Sequence, residues 1–178
     1  MKIQTLLFSI LLSCFLLPTR SQAQITIADT LSANALVGTL FGTGVDVVLD
    51  TIICDTNLAI REFDATNSNL DLFRGLLMST GAAADAPGPN LSPNTGTILP
   101  SNGYGPLQVL SGNITHDACV IEFDITPFCD SIGIRYVFAS EEYNEFALSS
   151  FNDVYAFYIS GPGFTAPAPG ENIALVPG

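Results

Sequence analysis

The sequence predicts a mainly β chain, most simply an antiparallel two-layer β-sandwich or jelly roll. Charged residues make up only 12% of the chain, so the long charged side chains typical of exposed helices are scarce. Several apolar runs alternate with a period of two, which is the period of a half-buried strand. Stretches rich in Gly, Pro, Asn and Ser separate these runs and favour turns.

The N-terminal half is expected to contain one short helix and two strands. Thr30 to Leu40 has a weak helical pattern, and Gly75 to Ser79 reads as a short buried strand. Val45 to Cys54 alternates as a strand does. Its expected apolar face holds Val45, Val47, Leu49 and Ile53, and its polar face holds Asp46 and Asp50. Thr80 to Tyr104 shows no periodicity and is expected to be a long loop, either functional or a surface excursion.

The C-terminal half is expected to contain the clearest strands. Residues 118–125 and 131–140 each alternate, and Pro127 to Asp130 is expected to join them as a hairpin turn. The predicted inward side chains are Cys119, Ile121, Phe123 and Ile125 on the first strand and Ile132, Ile134, Tyr136 and Phe138 on the second. Arg135 would then face Glu122 or Asp124. Asp153 to Ile159 is expected to be an interior strand, and Asn172 begins another.

Residues 1–23 are typical of a secretion signal. Lys2 precedes an almost wholly apolar stretch from Ile3 to Leu17, which is too short for a comfortable membrane span. Ser21-Gln22-Ala23 fits the small-x-small cleavage pattern, so we expect a mature chain from Gln24. A lipoprotein leader ending at Cys14 is the weaker alternative. The protein is therefore expected to be secreted or displayed at the cell surface.

The mature chain is strongly acidic. Three arginines remain against 17 acidic residues, so the formal charge is 3 − 17 = −14. This balance argues against electrostatic binding of nucleic acid or an anionic membrane. It fits a protein exported into a calcium-containing medium, although the acidity would also serve solubility alone.

Three cysteines follow the predicted leader, in a setting that permits disulfides. In the expected hairpin, about seven residues at roughly 3.3 Å each separate Cys119 from the turn that holds Cys129. That span exceeds the Cα separation of a disulfide. We therefore expect a Cys54–Cys129 disulfide, with Cys119 as a buried thiol. No Cys or His spacing indicates zinc.

The residues of hydrolytic enzymes are largely missing. His116 is the only histidine, and no GxSxG elbow is present. Glu122 and Asp124 lie on one strand face, as in some jelly-roll glycosidases. Those enzymes carry a third acid where this chain has Pro127, so a solvated strand face is the preferred interpretation. A carbohydrate-active enzyme remains the alternative function.

A cluster of oxygen-bearing side chains suggests a cation site. Its five members are Glu141, Glu142, Glu145, Asn152 and Asp153. Hard cations such as calcium take several carboxylate, amide and carbonyl oxygens. The alternative interpretation is a well-capped turn with solvated glutamates.

These residues also carry a family resemblance. YVFASEEYNEFALSSFNDVYAFYISGPG (Tyr136 to Gly163), followed by NIALVPG (Asn172 to Gly178), resembles the choice-of-anchor L domain family of bacterial surface and secreted proteins. GLLMSTGAAADAPGPN (Gly75 to Asn90) and DACVIEFDITP (Asp117 to Pro127) extend the resemblance. Family members often carry acids before the second of these strands, whereas this chain has Gly103 to Leu107.

The resemblance implies an exported protein with a presumed adhesive role and no established activity. Members differ in the C-terminal device that anchors or exports them, often a type IX secretion sorting domain. No such device is recognisable before Gly178, so we expect the chain to be the front part of a longer protein. We expect a non-catalytic binding or adhesion module, calcium-dependent, with a surface glycan or protein as its ligand. A structural spacer is the bland alternative.

Overall fold

The computed structural model describes residues 24–29, 32–89, 92, 95–140, 146, 148–151 and 153–175. In this part of the chain, seven strands form three antiparallel sheets beside two short α-helices. The chain is therefore mainly β, as the sequence predicts, and its antiparallel sheets are consistent with a β-sandwich. The predicted signal segment, residues 1–23, lies outside the described residues.

The described elements follow one another along the chain. They are β1 (Thr26–Ile27), α1 (Ala33–Leu40), β2 (Val45–Ile53), β3 (Ile60–Asp64), β4 (Arg74–Met78), a 3₁₀ turn (Ala83–Asp85), α2 (Gly105–Ser111), β5 (Val120–Pro127), β6 (Tyr158–Ile159) and β7 (Glu171–Asn172). The sheets have the orders β1-β3-β4, β2-β5 and β6-β7. None of the helices in these ranges has the length and apolar character that a membrane span requires.

Helix α1 confirms the expected N-terminal helix. Ser32 is its N-cap, because the Ser32 side chain accepts a hydrogen bond from the Ala35 N–H at 3.1 Å. The helix places Leu36 in the core, where Leu36 is only 1% exposed. The cap thus starts the helix where its apolar face meets the sheets.

The longest ladder pairs β2 with β5, from Val45 opposite Pro127 to Ile53 opposite Val120. Its register shifts between Leu49 and Thr51, which marks a β-bulge at Asp50. The bulge reverses the alternation, so Ile52 packs against the core while Ile53 is 48% exposed. The prediction that Ile53 continues the inward face of Val45 and Leu49 is therefore wrong.

The core contains residues from both strands of the β2–β5 ladder and from the β1-β3-β4 sheet. Its buried centre consists of Leu36, Ala59, Ile60 and Leu99. Partly buried neighbours are Val37, Leu49, Ile52, Cys54, Leu76, Cys119 and Ile121. The core therefore joins α1 to both sheets.

The predicted loop from Thr80 to Tyr104 is docked in its C-terminal part. Leu99 lies in the core with 3% exposure. Ser101 and Asn102 accept hydrogen bonds, each of 3.1 Å, from the N–H groups of Asp117 and Ala118. This part of the loop is therefore packed against the rest of the chain and is not a surface excursion.

The disulfide joins Cys54 to Cys119, with 4.6 Å between their Cα atoms. Cys129 is exposed and free. The predicted Cys54–Cys129 disulfide, with Cys119 as a thiol, is thus wrong. The β2–β5 ladder explains the difference: Ile53 opposite Val120 brings the next pair, Cys54 and Cys119, face to face.

The predicted hairpin after Pro127 does not form. The Phe128 N–H donates to the Gly44 carbonyl at 3.0 Å, so the chain continues along β2 instead of reversing. Residues 131–139 lie in no strand or helix and are all exposed. The interior strand expected from Asp153 shrinks to β6, and the strand expected from Asn172 is β7, which begins at Glu171.

Candidate binding surface

The predicted cation cluster lies mostly outside the described residues. Glu141, Glu142, Glu145 and Asn152 fall there, and Asp153 is described and exposed. Within the described ranges, no group of three or more His, Cys, Asp or Glu side chains is placed to hold a metal ion. The cation site therefore stays a prediction.

One aromatic pair brings together the chain on either side of this cluster, and a second pair lies within its span. The Tyr136 and Tyr155 rings have centroids 5.3 Å apart with planes tilted by 34°. Phe146 and Phe151 meet edge to face at 5.5 Å. Such pairs add stabilisation beyond simple area burial. The chain thus leaves this place at Tyr136 and returns to it at Tyr155.

A short turn supports the second aromatic pair. The Ser149 N–H donates to the Phe146 carbonyl at 3.0 Å, and the Ser149 hydroxyl accepts from the Phe151 N–H at 3.1 Å. Leu148 has a positive φ of 64° and a fully exposed side chain. A non-glycine residue in this conformation is uncommon and marks a tight local turn.

Tyr155, whose ring contacts Tyr136, has a raised pKa. Burial raises the pKa of Tyr155 above its ordinary value of 10.0, and the nearby Tyr136 phenol adds to the shift by opposing a second negative charge. The Tyr155 hydroxyl therefore keeps its proton to a higher pH than a free tyrosine does.

A run of exposed apolar side chains precedes the cluster. We call residues 131–139 the apolar segment. Its exposed fractions are 46% for Ile132, 43% for Ile134, 41% for Tyr136, 53% for Val137 and 54% for Phe138. The sequence predicted these residues as a half-buried strand, and the structure instead leaves them open to solvent.

The solvent face of the β2–β5 ladder is acidic. Glu122 and Asp124 are exposed there, opposite Thr51 and Val48. The Tyr104 hydroxyl donates to Glu122 Oε1 at 3.4 Å. Burial first, and then the Glu122 carboxylate, raise the pKa of Tyr104. Glu122 and Asp124 thus lie on a solvent-exposed strand face, as the sequence predicts.

Arg135 does not pair with this acidic face. Its guanidinium donates instead to the Asp71 carbonyl, because the apolar segment does not run alongside β5. The prediction that Arg135 faces Glu122 or Asp124 is wrong. His116 is exposed at the end of the loop before β5 and has neither carboxylate as a hydrogen-bond partner among the described contacts.

Sequence reasoning missed the two aromatic pairs and the docked loop. Tyr136 and Tyr155 are 19 positions apart, and the local sequence around each gives no indication that the two rings are in contact. The available hint was the high density of aromatic residues on both sides of the acidic cluster. The apolar pair Ile98-Leu99 in a largely polar loop was the equivalent hint for docking.

These observations describe a β-rich module with an open apolar segment and a strongly acidic surface. The family model for the choice-of-anchor L domain matches residues 24–178, which is most of the chain. The chain belongs to the choice-of-anchor L family, and this membership implies a surface-associated protein. Comparisons with curated proteins and with solved structures gave no significant match.

Proposed function

We propose that this chain is a non-catalytic binding module of an exported protein, adhesive in role, whose ligand-binding region depends on calcium. Family membership carries the surface-associated part of the proposal. The Tyr136–Tyr155 contact is the observation that supports the site, because it joins the two ends of the sequence that contains Glu141, Glu142 and Asp153. A surface glycan or a protein would be the ligand.

The charge of the chain supports the cation. Seventeen acidic residues face three arginines after the predicted leader. Among the described contacts, Arg74 pairs with Asp64 at 3.0 Å, and Arg61 donates to the Thr56 and Ile60 carbonyls. Three arginines cannot balance 17 acidic side chains, and a divalent cation would offset part of the repulsion among them.

The exposure of Glu122 and Asp124 supports a non-catalytic role. A glycosidase acid needs a raised pKa, and this usually comes from burial in a cleft. Both carboxylates lie on an open strand face. No observation on the described residues favours the glycosidase alternative.

Calcium binding is tested by thermal unfolding of residues 24–178, the range that the family model matches. A site on the folded state alone gives about 2.7 kcal/mol at a calcium concentration 100 times Kd, which raises Tm by about 5–10 °C. We expect Glu141→Gln and Asp153→Asn to remove most of this shift.

The matched control is Asp130→Asn, which removes the same charge at an exposed position before the apolar segment. It should keep the full calcium shift. Magnesium at equal concentration should stabilise less, because the hard octahedral ion dehydrates reluctantly. If calcium leaves Tm of the unmodified chain unchanged, the calcium dependence is wrong.

A further inference from the structure

Gln24 occupies the position where two boundaries of the sequence coincide. It directly follows Ser21-Gln22-Ala23, the small-x-small pattern at which an export leader is cut. The family model also begins its match at residue 24, so the domain itself does not include the leader. Removal of the leader at this point would leave Gln24 as the N-terminal residue, with a free α-amino group.

An N-terminal glutamine can react with its own side chain. The α-amino nitrogen attacks Cδ, the new N–Cδ bond closes a five-membered lactam, and Nε2 leaves with the amine proton as ammonia. The atoms balance without an oxidant or a co-reactant. The attacking amine must be uncharged, and an α-amino group has a pKa of about 7.7–8.0, so an uncharged fraction exists at neutral pH. The reaction also gains from being intramolecular.

The structure leaves Gln24 accessible to this reaction. Gln24 is exposed and lies in no strand or helix. Its side-chain amide donates through Nε2 to the Gly88 carbonyl, and this hydrogen bond is at the surface. Breaking such a bond costs about 0.5–1.5 kcal/mol, because water replaces the lost partner. The amide can therefore leave Gly88 and meet the α-amino group.

The N-terminus is also close to an edge strand. Only Gln24 and Ile25 precede β1, which begins at Thr26 and is two residues long. β1 pairs with β3 at the edge of the β1-β3-β4 sheet, and the Ala28 N–H adds a 3.0 Å hydrogen bond to the Glu62 carbonyl. An aminopeptidase that removed three residues would already shorten β1. Because these enzymes need a free α-amino group, a lactam at residue 24 would protect the strand.

We propose that cleavage after Ala23 exposes Gln24 and that Gln24 then cyclises to pyroglutamate, which blocks the N-terminus of the exported chain against stepwise trimming. The Nε2 donor to Gly88 leaves as ammonia, and the lactam carries no charge. The inference goes beyond the proposed function: it depends on export, and neither on calcium nor on an adhesive role.

The test expresses residues 1–178, with the leader, in a bacterium and recovers the chain from outside the cytoplasm. The intact mass of the reduced protein should equal that of residues 24–178 less one ammonia, and tandem mass spectrometry should place the loss on Gln24. The matched control is Gln24→Asn, which keeps a primary amide but would have to close a strained four-membered ring. This variant should lose no ammonia at its N-terminus.

An aminopeptidase tests the protective role. It should shorten the Gln24→Asn chain and leave the unmodified chain intact. Pyroglutamyl peptidase, which removes an N-terminal pyroglutamate, should expose Ile25 in the unmodified chain and make it open to the same trimming. A recovered chain that begins with uncyclised Gln24, that keeps its leader or that begins at another residue overturns the proposal. Equal trimming of the unmodified and Gln24→Asn chains, or trimming of neither, overturns the protective role.

Discussion

Single side chains determine where the described chain turns. Asp64 ends β3, and its Oδ1 atom accepts hydrogen bonds from the Thr66 N–H at 2.9 Å and the Thr66 hydroxyl at 2.6 Å. Its Oδ2 atom accepts from Arg74 Nε at 3.1 Å, at the start of β4. The hydrogen bonds from Thr66 are the main cause of a lowered pKa of Asp64, and the charge of Arg74 lowers this pKa further below its ordinary value of 3.8. This carboxylate thus links the turn to both strands.

Tyr155 provides a pH-dependence prediction at the same scale. Because its pKa is raised in the folded state, the folded chain holds this proton when the unfolded chain has released it. The stabilising contribution is complete below pH 10 and is lost as pH rises above 10. An absorbance titration at the phenolate band should therefore show a late-titrating component, and Tyr155→Phe should remove the part of it that belongs to Tyr155.

Tyr104→Phe is the control for that titration, because Tyr104 also has a raised pKa but lies beside Glu122. This variant should keep the late component of Tyr155. A Tyr155→Phe chain that titrates like the unmodified protein would contradict the assignment.

At the scale of elements, a loop is held by close backbone contact. A Cβ atom on Gly103 would lie 1.9 Å from the Thr115 carbonyl oxygen, so only glycine allows this approach. The Tyr104 N–H then donates to the Thr115 hydroxyl at 3.1 Å. The loop enters α2 in the position that these contacts impose.

Gly103→Ala is expected to destabilise the chain by about 1–3 kcal/mol, the usual cost of overpacking a rigid site. The clash is with backbone, which cannot move aside as a flexible side chain can. Urea unfolding measures the loss. Gly105→Ala is the matched control, since nothing lies within 4 Å of its added Cβ and it begins α2.

The control should leave stability unchanged or raise it by up to about 1 kcal/mol, because alanine is the better helix former. Equal stabilities of the two variants would show that the loop is not held at Gly103.

At the scale of the whole molecule, the core is built from residues 36–121. Every member of the core cluster comes from that range. The later chain packs beside β5 through Phe157, whose ring centroid lies 6.4 Å from that of Phe123. The Tyr158 hydroxyl adds a 3.4 Å hydrogen bond to the Pro106 carbonyl.

The Cys54–Cys119 disulfide crosslinks this core across a sequence separation of 65. Closing a loop of that length in the unfolded chain gives about 4 kcal/mol in the chain-entropy account. Replacing both cysteines with alanine should therefore lower the free energy of unfolding by about 2–4 kcal/mol, measured in urea.

Cys129→Ser should leave stability unchanged, because Cys129 is exposed and free. Reductant should destabilise the unmodified chain and the Cys129→Ser variant alike. If reductant affects only chains that contain Cys129, the assignment of the disulfide is wrong.

Much of the local structure follows from the sequence. Helix α1, the inward face of β5 and that of β2 as far as Leu49 follow from local periodicity, and the FASEEY, FNDV and SGPG elements identified the family. The cation cluster was also chosen from sequence, and its test is the calcium experiment. These features depend on residues close together in the chain.

The tertiary structure decided what pairs with what. The bulge at Asp50 turned Ile53 outward, the β2–β5 register joined Cys54 to Cys119, and the Phe128–Gly44 hydrogen bond prevented the predicted hairpin. Each outcome depends on a partner 65 or more positions away. A pattern of period two specifies a strand and its faces, but strand pairing depends on which long-range packing buries those faces. That is why the sequence alone determined the class of this protein, whereas the open apolar segment and the closed aromatic stretch emerged only from the folded chain.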